Sequence, residues 1–273
     1  MPDFIYKKIL SGKNELIKQI VALDKKKFRD KNNEFKIEGE KFVKEINNYL
    51  RIEKLIVSET YFDLNIEKIK QEFVYDELFV LKEKLFNSLS DVKNSQGILA
   101  VFKKKNLSLD NILKSIKKNY LMVGLEKIND PGNLGSIIRN CVAFGVDCLI
   151  ISSDSVDLYN PKVLRAAAGN IFKINICREC NLSLSLNKLK NDGAKIFATD
   201  LKAKKSIYDI NFNLKSVLLF GNEANGISKG ILNLADGKIK VFMSNNIESL
   251  NISVATGILL NKAFNDRSDH FGL

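Results

Sequence analysis

"YLMVGLEKINDPGNLGSIIRN", residues 120–140, decides the fold of the longer part of the chain. Its apolar start, residues 120–126, predicts a buried strand. Pro131, whose φ is fixed, and two glycines that let another backbone come close then form a tight corner. We expect a helix to follow, with Asn133 as its N-cap and Arg139 on its second turn. Backbone N–H groups beside an arginine are typical of phosphate binding, although a tight strand-to-helix turn with a surface arginine would have the same sequence.

The rest of the chain after residue 119 alternates between apolar strands and helices. Continuous apolar strands separated by helices predict an α/β fold with a mostly parallel sheet, covered by helices on both faces. Ligands of such sheets bind beyond the carboxyl ends of the strands. The predicted strands are "YLMVGLE", "DCLIIS", "FKINI", "AKIFATD", "SVLLFG" and "KIKVFM", and a last helix is predicted at about 253–265.

The first part of the chain predicts a smaller α/β domain. Residues 34–59 have the pattern strand, helix, strand, and a further helix is predicted at 77–89 before the strand "ILAVF". We therefore expect a small α/β domain at 1–105, a charged and polar linker at 106–118, and a larger domain at 119–273.

The chain is strongly basic, with a net charge of +11 over 273 residues. The excess is spread along the chain, since residues 1–105 already hold 22 Lys and Arg against 17 Asp and Glu. A broad basic surface suits an anionic partner such as RNA, although a Lys-rich genome produces the same charge. Neither a membrane-length apolar run nor a signal peptide is present in the sequence, so we expect a cytoplasmic protein without a membrane partner.

The four cysteines do not predict a disulfide framework in a chain of this length. Cys177 and Cys180 form a single "CREC" pair, and a structural zinc would need a second pair or histidines. The sole histidine is His270, so we expect no metal. Cys141 and Cys148 lie in apolar segments and are predicted core residues.

Two further corners carry polar residues next to predicted strands. In "LLFGNEANGIS", residues 218–228, Glu223 follows a strand end. This stretch is neither a Walker loop nor G-x-G-x-x-G, which argues against a dinucleotide-dependent enzyme. In "KVFMSNNIESLNISVATGILL", residues 240–260, Ser249 and Asn251 lie at a loop–helix junction, where capping would account for both. The small residues of this helix permit close packing within the domain or against a second subunit.

Taken in order, the three corners resemble the three motifs of the SpoU-type (TrmH-like) RNA ribose 2′-O-methyltransferases of the SPOUT superfamily. "DLYNPKVLRAAAGNIF" is similar to the segment that connects them, so the likeness extends over residues 119–265. "IEGEKFVKEIN" and "NSQGILAVF" resemble the RNA-binding extension of rRNA-directed members. The resemblance implies a trefoil knot, a rare exception among folds, together with S-adenosylmethionine as cofactor, an RNA substrate and a homodimer with active sites near its interface.

The resemblance also implies roles for individual residues. The catalytic residues would be Asn133, Arg139, Glu223, Ser249 and Asn251. The cofactor would be contacted by Thr199, Gly221, Val241 and Leu250, and RNA by Arg165. Two positions differ from the family pattern, since Phe242 replaces a proline and Asn245 replaces a glycine.

The substrate that the resemblance favours is 23S rRNA, because tRNA-directed relatives generally lack the N-terminal module. A tRNA 2′-O-methyltransferase and a non-catalytic RNA-binding or ribosome assembly factor are the alternatives. The motifs contain no histidine to act as a base. Arg139 would therefore either take the proton of the ribose hydroxyl, a demanding role for a side chain that is almost always protonated, or bind the neighbouring phosphate and orient the hydroxyl.

Overall fold

The computed structural model describes residues 5–90, 92, 94–116, 119–244 and 246–268. The chain divides into two compact units. The first comprises Met1–Lys105 and Tyr159–Leu164, and the second comprises Asn106–Leu158 and Arg165–Leu273. None of the helices in the described ranges is long and apolar enough to span a membrane.

The first unit is built around a mixed five-stranded sheet of order β1-β4-β3-β5-β2. Strands β1, β4 and β3 are parallel, while β5 runs antiparallel to both β3 and β2. The elements are β1 (Lys7–Ile9), α1 (Glu15–Ala22), α2 (Lys26–Asn32), β2 (Glu34–Glu38), α3 (Glu40–Asn47), β3 (Ile52–Ser58), α4 (Glu59–Glu72), β4 (Tyr75–Leu81), α5 (Glu83–Asn87) and β5 (Ile98–Lys103).

The predicted strand, helix and strand within residues 34–59 are confirmed, but the helix predicted at 77–89 is wrong. Residues 75–81 form strand β4, and only the short helix α5 follows. The last four residues of β4 are all buried, because the strand lies between β1 and β3 in the sheet. A continuous apolar run of this length fits a buried strand as well as a helix, so periodicity alone does not separate the two.

The second unit contains a seven-stranded sheet of order β10-β12-β9-β11-β6-β7-β8. Every strand pair in it is parallel, which confirms the predicted parallel sheet. The elements are α6 (Leu109–Ser115), β6 (Leu121–Leu125), α7 (Pro131–Ala143), β7 (Cys148–Ser152), the end of α8 (Pro161–Ala167, of which residues 165–167 belong to this unit), β8 (Asn175–Cys180), α9 (Leu182–Asn191), β9 (Lys195–Thr199), β10 (Lys205–Ser206), β11 (Ser216–Phe220), α10 (Lys229–Leu232), β12 (Gly237–Lys240) and α11 (Ile252–Ser268).

Three details of the second unit differ from the expected pattern. The strand predicted at "FKINI" begins later, at Asn175, because residues 170–172 form a short 3-10 helix. Strand β12 ends at Lys240, so "VFM" lies beyond it. The range 106–118 contains helix α6, which forms because Leu109 and Ile112 pack into the core of this unit. The trefoil knot stays a prediction.

The centre of the sheet consists of β6 and β11, in which every residue is buried. These neighbours pair along their whole length, from Leu121 opposite Ser216 to Leu125 opposite Phe220. Cys141 and Cys148 are fully buried, which confirms them as core residues. Because β6 and β11 end side by side, the first two polar corners emerge next to each other at one edge of the sheet.

Candidate active site

The first corner is the turn between β6 and α7. Helix α7 begins at Pro131, and the Asp130 carboxylate caps it by accepting a hydrogen bond from the Asn133 N–H at 2.7 Å. The prediction that Asn133 is the N-cap is therefore wrong. Proline lacks an N–H and has a helical φ, so it favours the first helical position and makes the residue before it the cap. The half-buried Asn133 side chain is consequently free to bond outside its own helix.

The second corner is a tight loop that follows β11. Asn222 and Gly226 exchange backbone hydrogen bonds of 3.1 and 2.8 Å, which fold the loop back on itself. Gly221 lies against this fold, and a Cβ there would be 2.2 to 2.4 Å from backbone atoms of Gly226 and Ile227. Only glycine fits at position 221 with this backbone.

Two side chains brace the second corner against the first. The Asn222 amide donates to the carbonyl oxygen of Lys127 at 2.9 Å, and the Ser228 N–H donates to the Glu126 carboxylate at 2.8 Å. Glu126 is only 7% exposed, and Lys127 has a φ of 56°, a left-handed backbone conformation that costs energy in a non-glycine residue. The corner is thus held by specific partners in a conformation that an isolated loop would rarely adopt.

The third corner is the start of helix α11. The Asn251 side-chain oxygen accepts hydrogen bonds from the Ser253 N–H at 2.8 Å and from its hydroxyl at 2.6 Å, which confirms a capping role for Asn251. Helix α11 packs on α7, where the Asn140 amide donates to the Ser253 carbonyl oxygen at 2.7 Å. A Cβ at Gly257 would lie 3.3 Å from that amide, so Gly257 permits close packing of α11 on α7 within the domain.

A chain of hydrogen bonds joins the three corners. Asn251 donates from Nδ2 to Oδ1 of Asn133 at 3.0 Å, and Asn133 donates from Nδ2 to Oε1 of Glu223 at 2.9 Å. The oxygen of the Asn251 side chain is used in the cap of α11, so its amide nitrogen faces Asn133. Because the Asn133 oxygen accepts from this nitrogen, the Asn133 nitrogen is left to donate to the Glu223 carboxylate. The structure therefore brings together three of the five predicted catalytic residues, one from each corner, and ends their chain in an exposed carboxylate.

The other two predicted catalytic residues lie outside this chain. Arg139 comes six residues after Asn133 in α7, which places it about 120° around the helix from Asn133, on an exposed face. Within the described residues the Arg139 guanidinium has no hydrogen bond or ion pair, so it is a free cation. Ser249 is exposed in the loop before α11 and bonds to no described residue.

Three of the four predicted cofactor contacts share one edge of the sheet. Thr199 ends β9, Gly221 follows β11 and Val241 follows β12, and these three strands are adjacent in the order β12-β9-β11. The Thr199 hydroxyl donates to the carbonyl oxygen of Leu219 at 3.0 Å. Leu250, the fourth contact, is half-buried in the loop that precedes α11.

The remaining sequence-predicted positions lie on the surface. Arg165 is exposed on α8. Phe242, which replaces the family proline, is 62% exposed, and the Lys240 ammonium lies 5.1 Å from its ring centre. Asn245 and His270 fall outside the described residues.

Sequence reasoning did not identify the residues that hold the corners in place: Asp130, Glu126 and Asn222. One signal was available, since Glu126 is a charged residue that directly continues the apolar run of β6. A charge at such a position is buried beside its strand and needs a partner. The identity of that partner, a backbone N–H about a hundred residues later, is not a local property of the sequence.

The fold and the site define a class of protein. A wholly parallel sheet with polar side chains gathered beyond its carboxyl ends is typical of α/β proteins that bind a nucleotide-like ligand at that edge.

Comparison with known proteins gives the family. Residues 120–261 match the SpoU rRNA Methylase family, and the chain belongs to this family. Residues 14–100 match the MRM3-like substrate binding domain. The chain is 32% identical to the 23S rRNA (guanosine(2553)-2′-O)-methyltransferase RlmP of Bacillus subtilis over 256 residues, 93% of this chain and 98% of that one.

Other relatives agree in family and in fold. The chain is 31% identical to the 23S rRNA (guanosine-2′-O-)-methyltransferase RlmB of Xanthomonas axonopodis pv. citri, over 63% of this chain and 71% of that one. An AdoMet-bound rRNA methyltransferase from Sinorhizobium meliloti superposes with a TM-score of 0.81 at 26% identity, covering 95% of this chain and 98% of that one. The SpoU methyltransferase AviRb from Streptomyces viridochromogenes has the same fold, with a TM-score of 0.84 at 23% identity over 94% of this chain and 99% of that one.

Proposed function

We propose that the protein transfers a methyl group from S-adenosylmethionine to a ribose 2′-hydroxyl of 23S rRNA. The observation that carries this proposal is the hydrogen-bonded chain from Asn251 through Asn133 to Glu223, which unites the three family corners at one edge of the sheet. The likeness to 23S rRNA 2′-O-methyltransferases over nearly the whole chain supports the reaction and the substrate. An rRNA substrate agrees with the cytoplasmic location expected from the sequence.

The strand ends fit S-adenosylmethionine. Gly221 adds no side chain at this edge, Thr199 brings a hydroxyl, and Val241 and Leu250 are half-buried apolar side chains. This mixture suits a molecule with an apolar adenine ring and a polar methionine end. Bound there, the cofactor supplies an electrophilic methyl group on its sulfonium sulfur.

The polar chain would position the ribose. Its hydrogen bonds fix the Glu223 carboxylate through Oε1, and Oε2 has no donor among the described residues, so it can accept a hydrogen bond from the nucleotide. Asn251 caps α11 and at the same time holds Asn133, so the geometry is set by the fold before the substrate binds. Ser249, which lies two residues before Asn251, would contact the substrate or the methionine end of the cofactor.

Arg139 would bind the phosphate next to the reacting ribose. Arginine is always charged in proteins and binds phosphate through two parallel N–H···O hydrogen bonds. The exposed, unpaired guanidinium is suited to this role and orients the hydroxyl for attack, while the phosphate or water takes the proton. Arg165 on α8 would add a further contact to the RNA backbone.

Methyl transfer from radiolabelled S-adenosylmethionine to unmodified 23S rRNA, with bulk tRNA in parallel, tests the proposal. We expect label in 23S rRNA at an alkali-resistant ribose linkage. Arg139→Ala should abolish it, whereas Arg139→Lys should retain part of it because lysine still binds phosphate. Lys195→Ala is the matched control, since Lys195 is an exposed cation at the opposite, amino-terminal edge of the sheet and should keep full activity.

Other outcomes contradict defined parts of the proposal. Label in tRNA alone would keep the reaction and reject the rRNA substrate. Cofactor binding without label in either RNA would favour a non-catalytic RNA-binding or assembly factor. Absence of cofactor binding would reject the enzyme altogether.

We also propose that the protein is a homodimer whose interface includes the third corner. Three large apolar side chains of this corner face solvent: Phe242 is 62% exposed, Ile247 52% and Val254 51%. Exposed apolar groups gathered in one segment are typical of association surfaces. Light scattering should give twice the mass of the chain, and Val254→Glu should halve it and reduce methylation. A monomeric wild-type protein at micromolar concentration would reject the dimer.

A further inference from the structure

Cys177 and Cys180, the "CREC" pair, lie on edge strand β8 and point to the same side of the sheet. Residues three apart on a regular strand point to opposite faces. Here Cys177 pairs with Ile150 and Cys180 pairs with Ser152, so three steps along β8 correspond to two along β7. This irregularity is a β-bulge, and it returns Cys180 to the face that Cys177 occupies.

The two sulfur atoms are in direct contact. Both cysteines are free thiols, and their Sγ atoms lie 2.6 Å apart. A disulfide needs an S–S distance of about 2.05 Å, so closing the bond takes a movement of roughly half an ångström. An edge strand with a bulge permits such a movement more readily than a central strand, because it is paired on one side only.

The surroundings shift the pKa values of the two thiols in opposite directions. The hydrogen bond from Cys180 lowers the pKa of Cys177 and outweighs the opposing effect of burial, and the Leu109 backbone lowers it further. The same hydrogen bond, together with burial, raises the pKa of Cys180. The thiolate is the nucleophilic form of cysteine, so Cys177 would attack an oxidant and Cys180 would resolve the product.

A metal site is a poorer explanation of this pair. Within the described ranges there is no group of three or more His, Cys, Asp or Glu side chains that could hold a metal ion. Structural zinc sites take four ligands. Two sulfurs in contact without further ligands match a dithiol that is ready to be oxidised.

We propose that Cys177 and Cys180 form a reversible disulfide when the protein meets a peroxide. The Cys177 thiolate attacks one peroxide oxygen and the O–O bond breaks, which leaves a sulfenic acid on Cys177 and releases the other oxygen as hydroxide. The hydroxide takes up the proton that the Cys177 thiol had released and becomes water. The Cys180 sulfur then attacks the Cys177 sulfur, and the sulfenic hydroxyl leaves with the Cys180 proton as a second water. Two thiols are oxidised and one peroxide is reduced to two waters. A dithiol reductant reverses the change.

The test exposes the full-length protein to dilute hydrogen peroxide and maps the cysteines by mass spectrometry, with dimedone present to trap sulfenic acid. In the wild type we expect a peptide in which Cys177 and Cys180 are joined, with loss of two hydrogens and recovery by dithiothreitol. Cys180→Ser should stop at the sulfenic acid and give a dimedone adduct on Cys177. Cys177→Ser should react far more slowly at Cys180.

Cys148→Ala is the control, because Cys148 lies on neighbouring strand β7 and is the third thiol in this region. It should leave the Cys177–Cys180 bond unchanged. Four free thiols after peroxide treatment, a bond that uses Cys148, or Cys177 oxidised without a bond to Cys180 in a parallel sample that lacks dimedone would each overturn the proposal. The readout uses thiol chemistry alone and is independent of methyl transfer.

Discussion

Replacing Gly221 by alanine should disrupt the second corner. The new Cβ would lie 2.2 Å from the Gly226 carbonyl carbon, and 2.4 Å from the Gly226 oxygen and the Ile227 nitrogen. Ordinary contacts begin at 3.4 Å, so the two backbone segments must separate by about 1 Å. All three atoms are backbone atoms, and no side-chain rotation relieves the clash.

The size of the effect follows from what this separation breaks. Overpacking costs about 1–3 kcal/mol, and weakening the two backbone hydrogen bonds between Asn222 and Gly226 adds about 0.5–1.5 kcal/mol each. A total of about 2–6 kcal/mol lies at or below the usual stability of a domain and lowers the Tm of the unit by roughly 4–24 °C. A displacement of about 1 Å at Glu223 should reduce methylation on the order of a hundredfold.

Scanning calorimetry and methyl-transfer rates measure the two effects, with Gly230→Ala as the matched control. Gly230 lies in α10 and needs no left-handed backbone, and a Cβ added there would meet no heavy atom within 4 Å. Its replacement should be neutral or stabilising by up to about 1 kcal/mol. If Gly221→Ala melts within about 2 °C of wild type and retains its activity, close backbone approach does not shape this corner.

Three further perturbations test other parts of the second unit. Asn222→Ala removes both the amide that donates to the Lys127 carbonyl oxygen and the oxygen that accepts from the Ala224 and Asn225 N–H groups. It should therefore cost about 1–3 kcal/mol in urea unfolding and more methylation than Asn222→Asp, which loses only the donor. Gly135→Ala places a Cβ 2.4 Å from helix α8 and should lower the Tm, as measured by calorimetry. Lys215 lowers the folded-state pKa of Asp192 below its unfolded value, so the stability from this pair is present above the unfolded pKa and lost as pH falls through the folded one. Asp192→Asn should therefore flatten the acid side of the stability curve in urea titrations between about pH 2 and 6.

Each of these expectations has a contrary result. Wild-type methylation by Asn222→Asp, which lacks the donor to the Lys127 carbonyl oxygen, would show that the brace between the first two corners does not position the site. An unchanged Tm for Gly135→Ala would show that α7 and α8 move apart freely. A stability curve for Asp192→Asn that follows the wild type throughout the acid range would remove the ion pair as a cause of acid sensitivity.

Local signals in the sequence were sufficient to locate the corners. Continuous apolar runs marked the central strands, and Pro131 with its glycines marked the first turn. The error at Asn133 arose because proline fixes the first helical position and so moves the cap to Asp130. The error at residues 77–89 arose because a strand buried on both faces has no polar alternation to distinguish it from a helix.

Non-local pairing accounts for what the sequence left unpredicted. Which corners would touch depends on the strand order, and that order places β11 beside β6 although the two are far apart in the chain. The brace from Glu126 to Ser228 and the bond from Asn133 to Glu223 both follow from this placement. The family resemblance supplied the grouping of residues, while the hydrogen bonds that enforce it became visible only in three dimensions.

The long separations within the polar chain link ligand binding to folding. Asn251 and Asn133 are 118 positions apart, and Asn133 and Glu223 are 90 apart, so their contacts form only after most of the unit has assembled. Partly folded chains accordingly lack the site, and a ligand that needs it binds the native state alone. At a concentration one hundred times its Kd, such a ligand raises the free energy of unfolding by about 2.7 kcal/mol. Cofactor supply would then set how much of the protein survives proteolysis in the cell, in addition to its rate of turnover.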